Sequence, residues 1–340
     1  MKKIIVALLI GGLISSGVIA QDPHFSQFFA SPLTLNPAFT GKFDGALRVA
    51  GNYRNQWPSI NNAYTTGTIS VDFPILEKRI PETDRFGIGF LGLTDRNGNG
   101  ILQNNFVGAS LAYHKGLDES GYHQLGIGFQ GMYVNKRLDL TQAKFEDMLT
   151  TSGFTGVTQE IFSNYNELKL NYADLNAGIM YTGSTTDDNF FYVGVSGYHL
   201  NRPKESFRGA DYILNTRYTI HGGAYFPVGD NLSLHTSIIH QRQATSANET
   251  VIGAALGYTV PGGTAYQTPT VFYFGSWYRL KDAIIPYVGM EWNNFRLGIT
   301  YDVNTSSLKT ASNLKGGLEV SLIYTKPYRE GGKAIKCPKF

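Results

Sequence analysis

Apolar and polar side chains alternate along most of this chain. From residue 45 onward the sequence falls into segments of about ten residues with a period of two, which is typical of a β-strand with two different faces. In residues 294–302, Phe295, Leu297 and Ile299 share one face. Arg296 and Asp302 share the other face. The first face suits lipid and the second suits water, so these segments predict strands that cross a membrane.

About fourteen such segments can be counted, and an even number is what a closed bacterial barrel requires. They lie near residues 45–57, 63–74, 85–95, 102–115, 122–135, 170–182, 190–200, 216–226, 231–241, 250–260, 270–280, 284–291, 294–303 and 315–325. If the first strand runs outward, the long connections 136–169 and 201–215 face the exterior and the short turns 227–230 and 291–294 face the periplasm. The predicted fold class is therefore all-β, a transmembrane antiparallel β-barrel.

The polar face of these strands carries charged side chains. We expect the following to point into the lumen: Arg48, Arg54, Asp72, Arg296, Asp302 and Glu319. A soluble β-sandwich or propeller would also have many short strands. The barrel is favoured because no propeller-like repeat is visible, charge is confined to one strand face, and aromatic residues cluster at strand ends, as at Trp277 and Tyr278.

The beginning of the chain has the pattern of a secretory signal peptide. Lys2 and Lys3 precede an apolar run over residues 4–14, and small residues lead to Ala20, after which we expect cleavage. An N-terminal membrane anchor is the alternative, but about eleven apolar residues are too few to span a bilayer. No later stretch approaches the roughly eighteen uninterrupted apolar residues of a membrane helix, so only a closed barrel in the outer membrane satisfies the backbone.

Charge and cysteine content narrow the possible partners. The formal charge is +3 before the two lysines of the signal peptide are removed, and a nearly neutral mature chain argues against a nucleic-acid partner. The single cysteine, Cys337, has no partner within the chain for a disulfide.

Four regions are predicted: a signal peptide at 1–20, a short periplasmic N-terminal segment at 21–44, the barrel at 45–325 and a periplasmic tail at 326–340. Three prolines and several phenylalanines indicate that the N-terminal segment is docked, either at the barrel mouth or on a partner; a plug without a partner is the alternative. Phe340 follows Pro338, so the last strand should stop near Thr325 and leave the tail free. Candidate partner-binding residues are Asp22, Pro23, Phe25, Ser26, Gln27, Phe28, Asn36, Pro37, Cys337, Pro338 and Phe340.

Motifs for catalysis, cofactors or metals are weak. Gly87, Gly89 and Gly92 spell G-x-G-x-x-G, but the pattern lies within an alternating strand and returns at residues 126–131, so we interpret these glycines as small inward positions. Residues 95–100 copy half of a calcium loop, yet Phe106 stands where the bidentate Glu belongs, which favours a hairpin turn. The seven histidines show no metal-ligand spacing. We expect no catalytic, cofactor or metal site, and no enzyme.

Several stretches are similar to the PorP/SprF family of type IX secretion system membrane proteins. The resemblance begins before the first strand and covers nearly the whole mature chain. The matching stretches are Asp22-Pro23, Phe25-Ser26-Gln27-Phe28, Leu35-Asn36-Pro37-Ala38, Tyr53-Arg54-Asn55-Gln56-Trp57-Pro58, Gly197-Tyr198-His199-Leu200, Tyr301-Asp302-Val303-Asn304 and Cys337-Pro338-Lys339-Phe340.

The resemblance implies an outer-membrane barrel that works with a periplasmic ring lipoprotein and other components of a secretion machine. It also implies cargo with C-terminal signals, including gliding adhesins in some relatives. A transport channel is the rival hypothesis, since Asn36-Pro37-Ala38 also resembles a short motif of FadL-type channels for hydrophobic compounds.

Overall fold

The computed structural model describes residues 22–60, 63–155, 157–159, 167–186, 188–207, 212–244, 247–261 and 269–328. Within these residues the chain forms a closed barrel of fourteen antiparallel strands, in which each strand pairs with its neighbours in sequence and the last pairs with the first. The predicted fold class is confirmed.

The barrel strands are numbered here in chain order. They are β1 Leu47–Gln56, β2 Tyr64–Ile75, β3 Arg85–Asn97, β4 Leu102–Gly116, β5 Gln124–Asp139, β6 Glu167–Gly183, β7 Phe190–Tyr198, β8 Arg217–Gly229, β9 Leu232–Gln243, β10 Ala247–Thr259, β11 Val271–Arg279, β12 Ala283–Trp292, β13 Phe295–Asn304 and β14 Lys315–Lys326. Each lies at a predicted position, and β5 and β6 extend further toward the exterior than the alternation indicated.

Strand β1 closes the barrel against β14. Leu47 lies opposite Lys326 at one end, and Gln56 lies opposite Gly317 at the other. Because side chains on a strand alternate between faces, this register gives Arg54 and Glu319 the same inward face. The hydrophobic pattern therefore determines which side chains enter the lumen.

The outer surface carries a belt of exposed apolar side chains. It includes Ile69, Phe90, Leu111, Phe129, Leu175, Ile179, Val193, Ile220, Ile238, Ile252, Phe274, Val288, Leu318 and Leu322. All lie on strands and face away from the lumen, as lipid contact requires. Among the described residues, no helix is long and apolar enough to cross a membrane.

The connections differ in length between the two barrel ends. Long ones follow β5 and β7, and the first contains a small hairpin of Leu149–Thr150 with Gly153–Phe154. Residues 98–101 form a tight turn in which Asn99 has a φ of 59°, so the calcium-loop half-motif is a hairpin turn. Long loops mark the exterior end of a bacterial barrel, so β1 runs from the periplasmic end to the exterior end.

The glycine pattern follows the two strand faces. A Cβ on Gly87 would lie 2.5 Å from the Thr40 carbonyl oxygen, and one on Gly128 would lie 2.5 Å from the Pro37 carbonyl oxygen. These inward glycines therefore admit the N-terminal segment. By the same alternation, Gly92 and Gly131 face outward, so the interpretation of every motif glycine as inward needs this correction.

A charge on the lipid face tests the position of the belt. Phe129 is 64% exposed near the middle of β5, and replacing it by Arg should lower the free energy of unfolding by about 2–4 kcal/mol. Asn135→Arg, six residues further toward the exterior on the same strand face, should cost only about 0–1 kcal/mol. Urea titration of barrels refolded into lipid vesicles measures both. Equal costs would show that the belt is misplaced.

Candidate functional site: a plugged barrel lumen

Residues 22–43 run through the inside of the barrel. They contain the short 3-10 helices Phe28–Ala30 and Pro37–Phe39 and one turn of α-helix, Pro32–Leu35. The segment begins beside the exterior end of β9 and leaves at the periplasmic start of β1. The segment therefore lies in the lumen as a plug. The expected periplasmic position of residues 21–44 needs this correction, and the plug was the alternative.

At the exterior end, Asp22 is bound by cationic side chains. Its Oδ2 lies 2.6 Å from His199 Nε2 and 3.3 Å from Arg217 Nη1. Burial alone would raise the pKa of Asp22, but these two partners hold that pKa well below its usual range. Burial alone would lower the pKa of His199, but Asp22 and Asp174 raise it to about 9. Asp22 and His199 are thus both charged at neutral pH.

Below this contact, Ser26 joins the segment to a buried charge network. Its hydroxyl donates to Asp302 Oδ1 at 2.7 Å and accepts from Arg279 Nη2 at 2.7 Å. Asp302 also accepts from Arg54 at 2.9 Å, so one carboxylate lies between two guanidinium groups. All four side chains are buried, and buried charges are tolerated only when paired in this way.

Glu319 binds the backbone of the same turn. Its two carboxylate oxygens accept from the N–H groups of Ser26 at 2.7 Å and Gln27 at 3.1 Å. The Gln27 side chain returns the contact by accepting from the Ser321 hydroxyl at 2.7 Å. The inner face of β14 therefore supplies hydrogen-bond partners to a turn of the plug that has little regular secondary structure.

Aromatic packing fills the middle of the lumen. The Phe29 ring centroid lies 4.8 Å from that of Trp277 and 5.7 Å from that of Tyr287. Further along, the Phe39 ring lies 5.5 Å from Tyr192. One side of the lumen is thus apolar, and the plug contributes to it.

Asn36 fastens the plug to the barrel wall. Its Nδ2 donates to the carbonyl oxygens of Ile179 on β6 and Val195 on β7, at 3.2 and 3.3 Å, and its Oδ1 accepts from Ala38 N–H at 2.8 Å. Gly178 makes room, because a Cβ there would lie 1.9 Å from Asn36 Oδ1. The Asn-Pro-Ala motif is therefore a structural attachment of the plug.

At the periplasmic end, a further buried ion pair holds the plug. Arg48 Nη2 lies 2.8 Å from Asp72 Oδ2, and the same carboxylate accepts from Gly41 N–H at 2.7 Å. Gly41 has a φ of 71°, a left-handed conformation that favours glycine. Lys42 bonds Gln124 at the same level.

The structure brings most of the sequence candidates together. Phe25, Ser26, Gln27, Phe28, Asn36 and Pro37 are buried in the lumen, whereas Asp22 and Pro23 are half-buried at its exterior end. Five of the six predicted lumen charges are buried there: Arg48, Arg54, Asp72, Asp302 and Glu319. Arg296 is half-buried and paired with Glu291 at the periplasmic end. Cys337, Pro338 and Phe340 lie outside the described residues.

Sequence reasoning missed four residues of the outer contacts: His199, Arg217, Arg279 and Glu249, which lies 3.1 Å from Nε2 of the plug residue His24. The last three lie at exterior ends of strands, where the alternating pattern fades and strand boundaries are least certain. Their charge at inward positions was the available signal. In the part of the chain that the structure describes, no group of three or more His, Cys, Asp and Glu could hold a metal ion.

A closed barrel with an apolar outer belt and a charged, plugged interior defines an integral outer-membrane protein. Residues 18–324 match the family described as "Type IX secretion system membrane protein PorP/SprF", and the chain belongs to this family. It is a membrane component of the type IX secretion system. A comparison with curated proteins finds no match.

Solved structures give weaker similarities. The Pseudomonas putida toluene transporter TodX is 9% identical with a TM-score of 0.49, covering 90% of this chain and 94% of that chain. The CymD monoaromatic hydrocarbon channel is 9% identical with a TM-score of 0.49, covering 89% and 94%. A Pseudomonas aeruginosa FadL homologue is 12% identical with a TM-score of 0.46, covering 85% and 92%.

The Arg48–Asp72 pair gives a direct test of the periplasmic anchor. Asp72→Ala leaves Arg48 buried without its counterion and should lower the free energy of unfolding by about 3–5 kcal/mol. The double variant Arg48→Met, Asp72→Leu removes the unpaired charge and should recover part of this loss, although Gly41 N–H and Phe39 C=O still lose their partners. Lys169→Ala, in an exposed pair, should cost about 0–1 kcal/mol. Urea titration in vesicles measures all three. A double variant as unstable as Asp72→Ala would contradict this account.

The Asp22–His199 contact should make the outer end of the plug pH-dependent. The pKa of His199 is raised from 6.5 to about 9, so its contribution is complete below pH 6.5 and is lost as the pH rises through about 9. The pKa of Asp22 is lowered, so its contribution is present above pH 3.8 and is lost only on strong acidification. The hydrogen-exchange protection of residues 22–26, measured relative to the intrinsic exchange rate at each pH, should therefore fall between pH 8 and 10. His199→Gln should remove this transition and His240→Gln should keep it; a transition unchanged in His199→Gln would assign it elsewhere.

Proposed function

We propose that this protein is a non-catalytic component of the type IX secretion machine that works by binding other proteins. Its partners are periplasmic ring lipoproteins of the machine, cargo with C-terminal signals, or both, including gliding adhesins in cells that secrete them. The observation that supports this proposal is the plug: the chain fills its own lumen and fixes the filling at both ends, through Asp22 and through Asp72. A barrel filled in this way serves better as a rigid platform than as a passage.

The energetics of the plug support a permanent arrangement. Withdrawal would leave Glu319 and Asp72 without the backbone N–H donors that they now bind. A buried charge that loses such a partner costs about 1–3 kcal/mol or more. Withdrawal would also expose Phe28, Leu35 and Phe39, which are buried. Together, these free-energy costs oppose withdrawal of the plug from the lumen by thermal motion.

The periplasmic end offers a defined position for a partner. Tyr328 donates to Glu77 Oε1 at 2.7 Å and accepts from Arg85 Nη2 at 2.9 Å. Residues 329–340 therefore continue from a fixed point beside the turn between β2 and β3. Their sequence contains four basic residues, Arg329, Lys333, Lys336 and Lys339. A ring component with an acidic surface would suit this tail.

A channel for small or hydrophobic solutes is the second candidate. One observation favours it: the apolar side of the lumen, where Tyr192, Trp277 and Tyr287 are buried together with plug residues, resembles the lining of ligand pockets in general. The same side chains equally serve to pack Phe29 and Phe39. Solute flux decides between these roles.

Removing the tail tests the proposed platform. Deletion of residues 329–340 should leave a heat-modifiable barrel in the outer membrane, since the fourteen strands of the described barrel end by Lys326. It should reduce the co-purification of ring lipoproteins at least about tenfold. Exchanging Lys333 and Lys336 for Arg keeps the charge and should preserve co-purification. Affinity purification from native membranes, quantified by mass spectrometry, gives the comparison. Unchanged recovery of ring lipoproteins, or solute-selective uptake by liposomes containing the intact protein, would refute the platform role.

A further inference from the structure

Strands β5 and β6 rise above the apolar belt on the exterior side. On the outward face of β5, Phe129 and Tyr133 are followed by Asn135 and Arg137. Strand β6 repeats the change, because Leu175 and Ile179 are apolar whereas the outward residues between 167 and 173 are polar or small. Residues 167–173 of β6 therefore stand in water outside the membrane, over a length of about 23 Å.

This raised part of β6 has an open edge. Strand β7 pairs with β6 only from Ala177 onward and ends at Tyr198. Asn201 then caps two more backbone groups, by accepting from Leu175 N–H at 3.0 Å and donating to Ala173 C=O at 2.7 Å. Alternate residues of a strand direct their backbone N–H and C=O groups to the same side, so those of Lys169 and Asn171 also face this edge. In the described part of the chain their N–H and C=O groups have no backbone partner on that side.

We propose that residues 167–173 bind an extended segment of another protein by adding it as a strand at the cell exterior. An edge of alternating N–H and C=O groups is matched by an extended polypeptide backbone, which is how peptides add to exposed sheet edges elsewhere. The belt position requires that this partner reaches the edge from the aqueous side.

An apolar cavity lies beside the open edge. It has a volume of about 340 Å³ and is lined by Leu138, Leu140, Ala143, Phe145, Leu168, Ser206 and Phe207. Leu138 and Leu168 are opposite each other in the β5–β6 pairing, which places the cavity on the inner face of the raised hairpin. A strand added to β6 would direct every second side chain toward this face. The cavity therefore selects a segment with bulky apolar residues at alternate positions.

Charge on the outer face of the hairpin adds a second preference. Glu167 is paired with both Arg137 and Lys169, at 2.8 Å for the lysine, so two cations share one carboxylate. The side chains of Arg137 and Lys169 are 44% and 61% exposed. Asp139, opposite Glu167 on the same face, balances the second positive charge. Lys169 is the cation on the edge strand itself, so an acidic residue on the outward face of the added strand would pair with it.

A second copy of this chain does not fit the edge. In a two-fold dimer, two copies of the same sheet edge pair as antiparallel strands. In one membrane, however, β6 descends from exterior to periplasm in every copy, with a tilt of about 35–45° from the normal. Two such strands differ in direction by at most about 90°, so they cannot become antiparallel. The occupant is therefore a different protein.

This inference deepens the proposed function and rests on it only in that the partner is a protein. The periplasmic tail and the exterior edge are at opposite ends of the barrel, so the two can be tested separately. Loss of one contact need not affect the other.

Photocross-linking in cells tests the edge. Asn171 is replaced by p-benzoylphenylalanine, and Arg96 is the matched control, because it is exposed on β3 while its strand is paired on both sides. We expect position 171 to capture one protein through a segment with alternating bulky apolar residues, and position 96 not to do so.

Proline substitution then separates strand addition from simple proximity. With the probe at position 171, Lys169→Pro removes an N–H that faces the open edge without breaking a β5–β6 bond, and it should reduce cross-linking about fivefold or more. Ala143→Phe, which fills the cavity, should reduce cross-linking similarly. Thr151→Phe, in the exposed turn between Leu149–Thr150 and Gly153–Phe154, should not. Heat modifiability confirms that each variant has folded.

Four outcomes would overturn the inference: no protein captured at 171, equal capture at 96, capture of a second copy, or capture unaffected by Lys169→Pro and Ala143→Phe. Ring-lipoprotein recovery is measured on the same membranes. If recovery persists while edge capture is absent, the edge inference fails and the platform role stands. If edge capture persists while recovery is lost without the tail, both are supported.

Discussion

The arrangement of this protein depends on compensating buried charge inside a closed barrel. A period-two strand that presents apolar side chains to lipid must present its remaining side chains to the lumen, and here these include Arg54, Asp72, Asp302 and Glu319. No bulk water reaches most of these groups, so their partners must come from the protein. The N-terminal segment supplies several of them through Ser26, Gln27 and Gly41. The plug and the barrel wall therefore stabilise each other, and neither satisfies its polar groups alone.

The sequence predicted the barrel well because its signal is periodic and repeated in every strand. It predicted the inward charges of β1, β2, β13 and β14 for the same reason. It left the position of residues 22–43 open between a partner, the barrel mouth and the lumen, since this depends on contacts between residues far apart in the chain. Asn36 reaches Ile179 and Val195, and nothing local in the sequence marks those two carbonyl groups as its acceptors. Likewise, Gly178 gives room to Asn36 although it looks like any other small residue in a strand.

Family membership and the filled lumen point in the same direction. The family is that of type IX secretion membrane proteins. A plug that ion pairs hold at both ends of the lumen suits a component that would bind its partners at its surface. Those surfaces differ in character. The periplasmic end presents a fixed attachment at Tyr328, whereas the exterior end presents the raised β5–β6 hairpin with its apolar cavity. In the proposed function, partners would bind at these two ends, in two different aqueous compartments, and no solute would need to cross the lumen.

The path of the N-terminal segment also imposes an order of assembly. Asp22 lies at the exterior end, yet the segment leaves the lumen at the periplasmic end and continues directly into β1. Entry of the segment into a finished ring would carry charged and polar groups past a packed aromatic interior. Entry before β1 and β14 meet avoids this barrier, because the wall is still open along one seam. We therefore expect the β1–β14 seam to close only after the N-terminal segment lies inside the barrel wall.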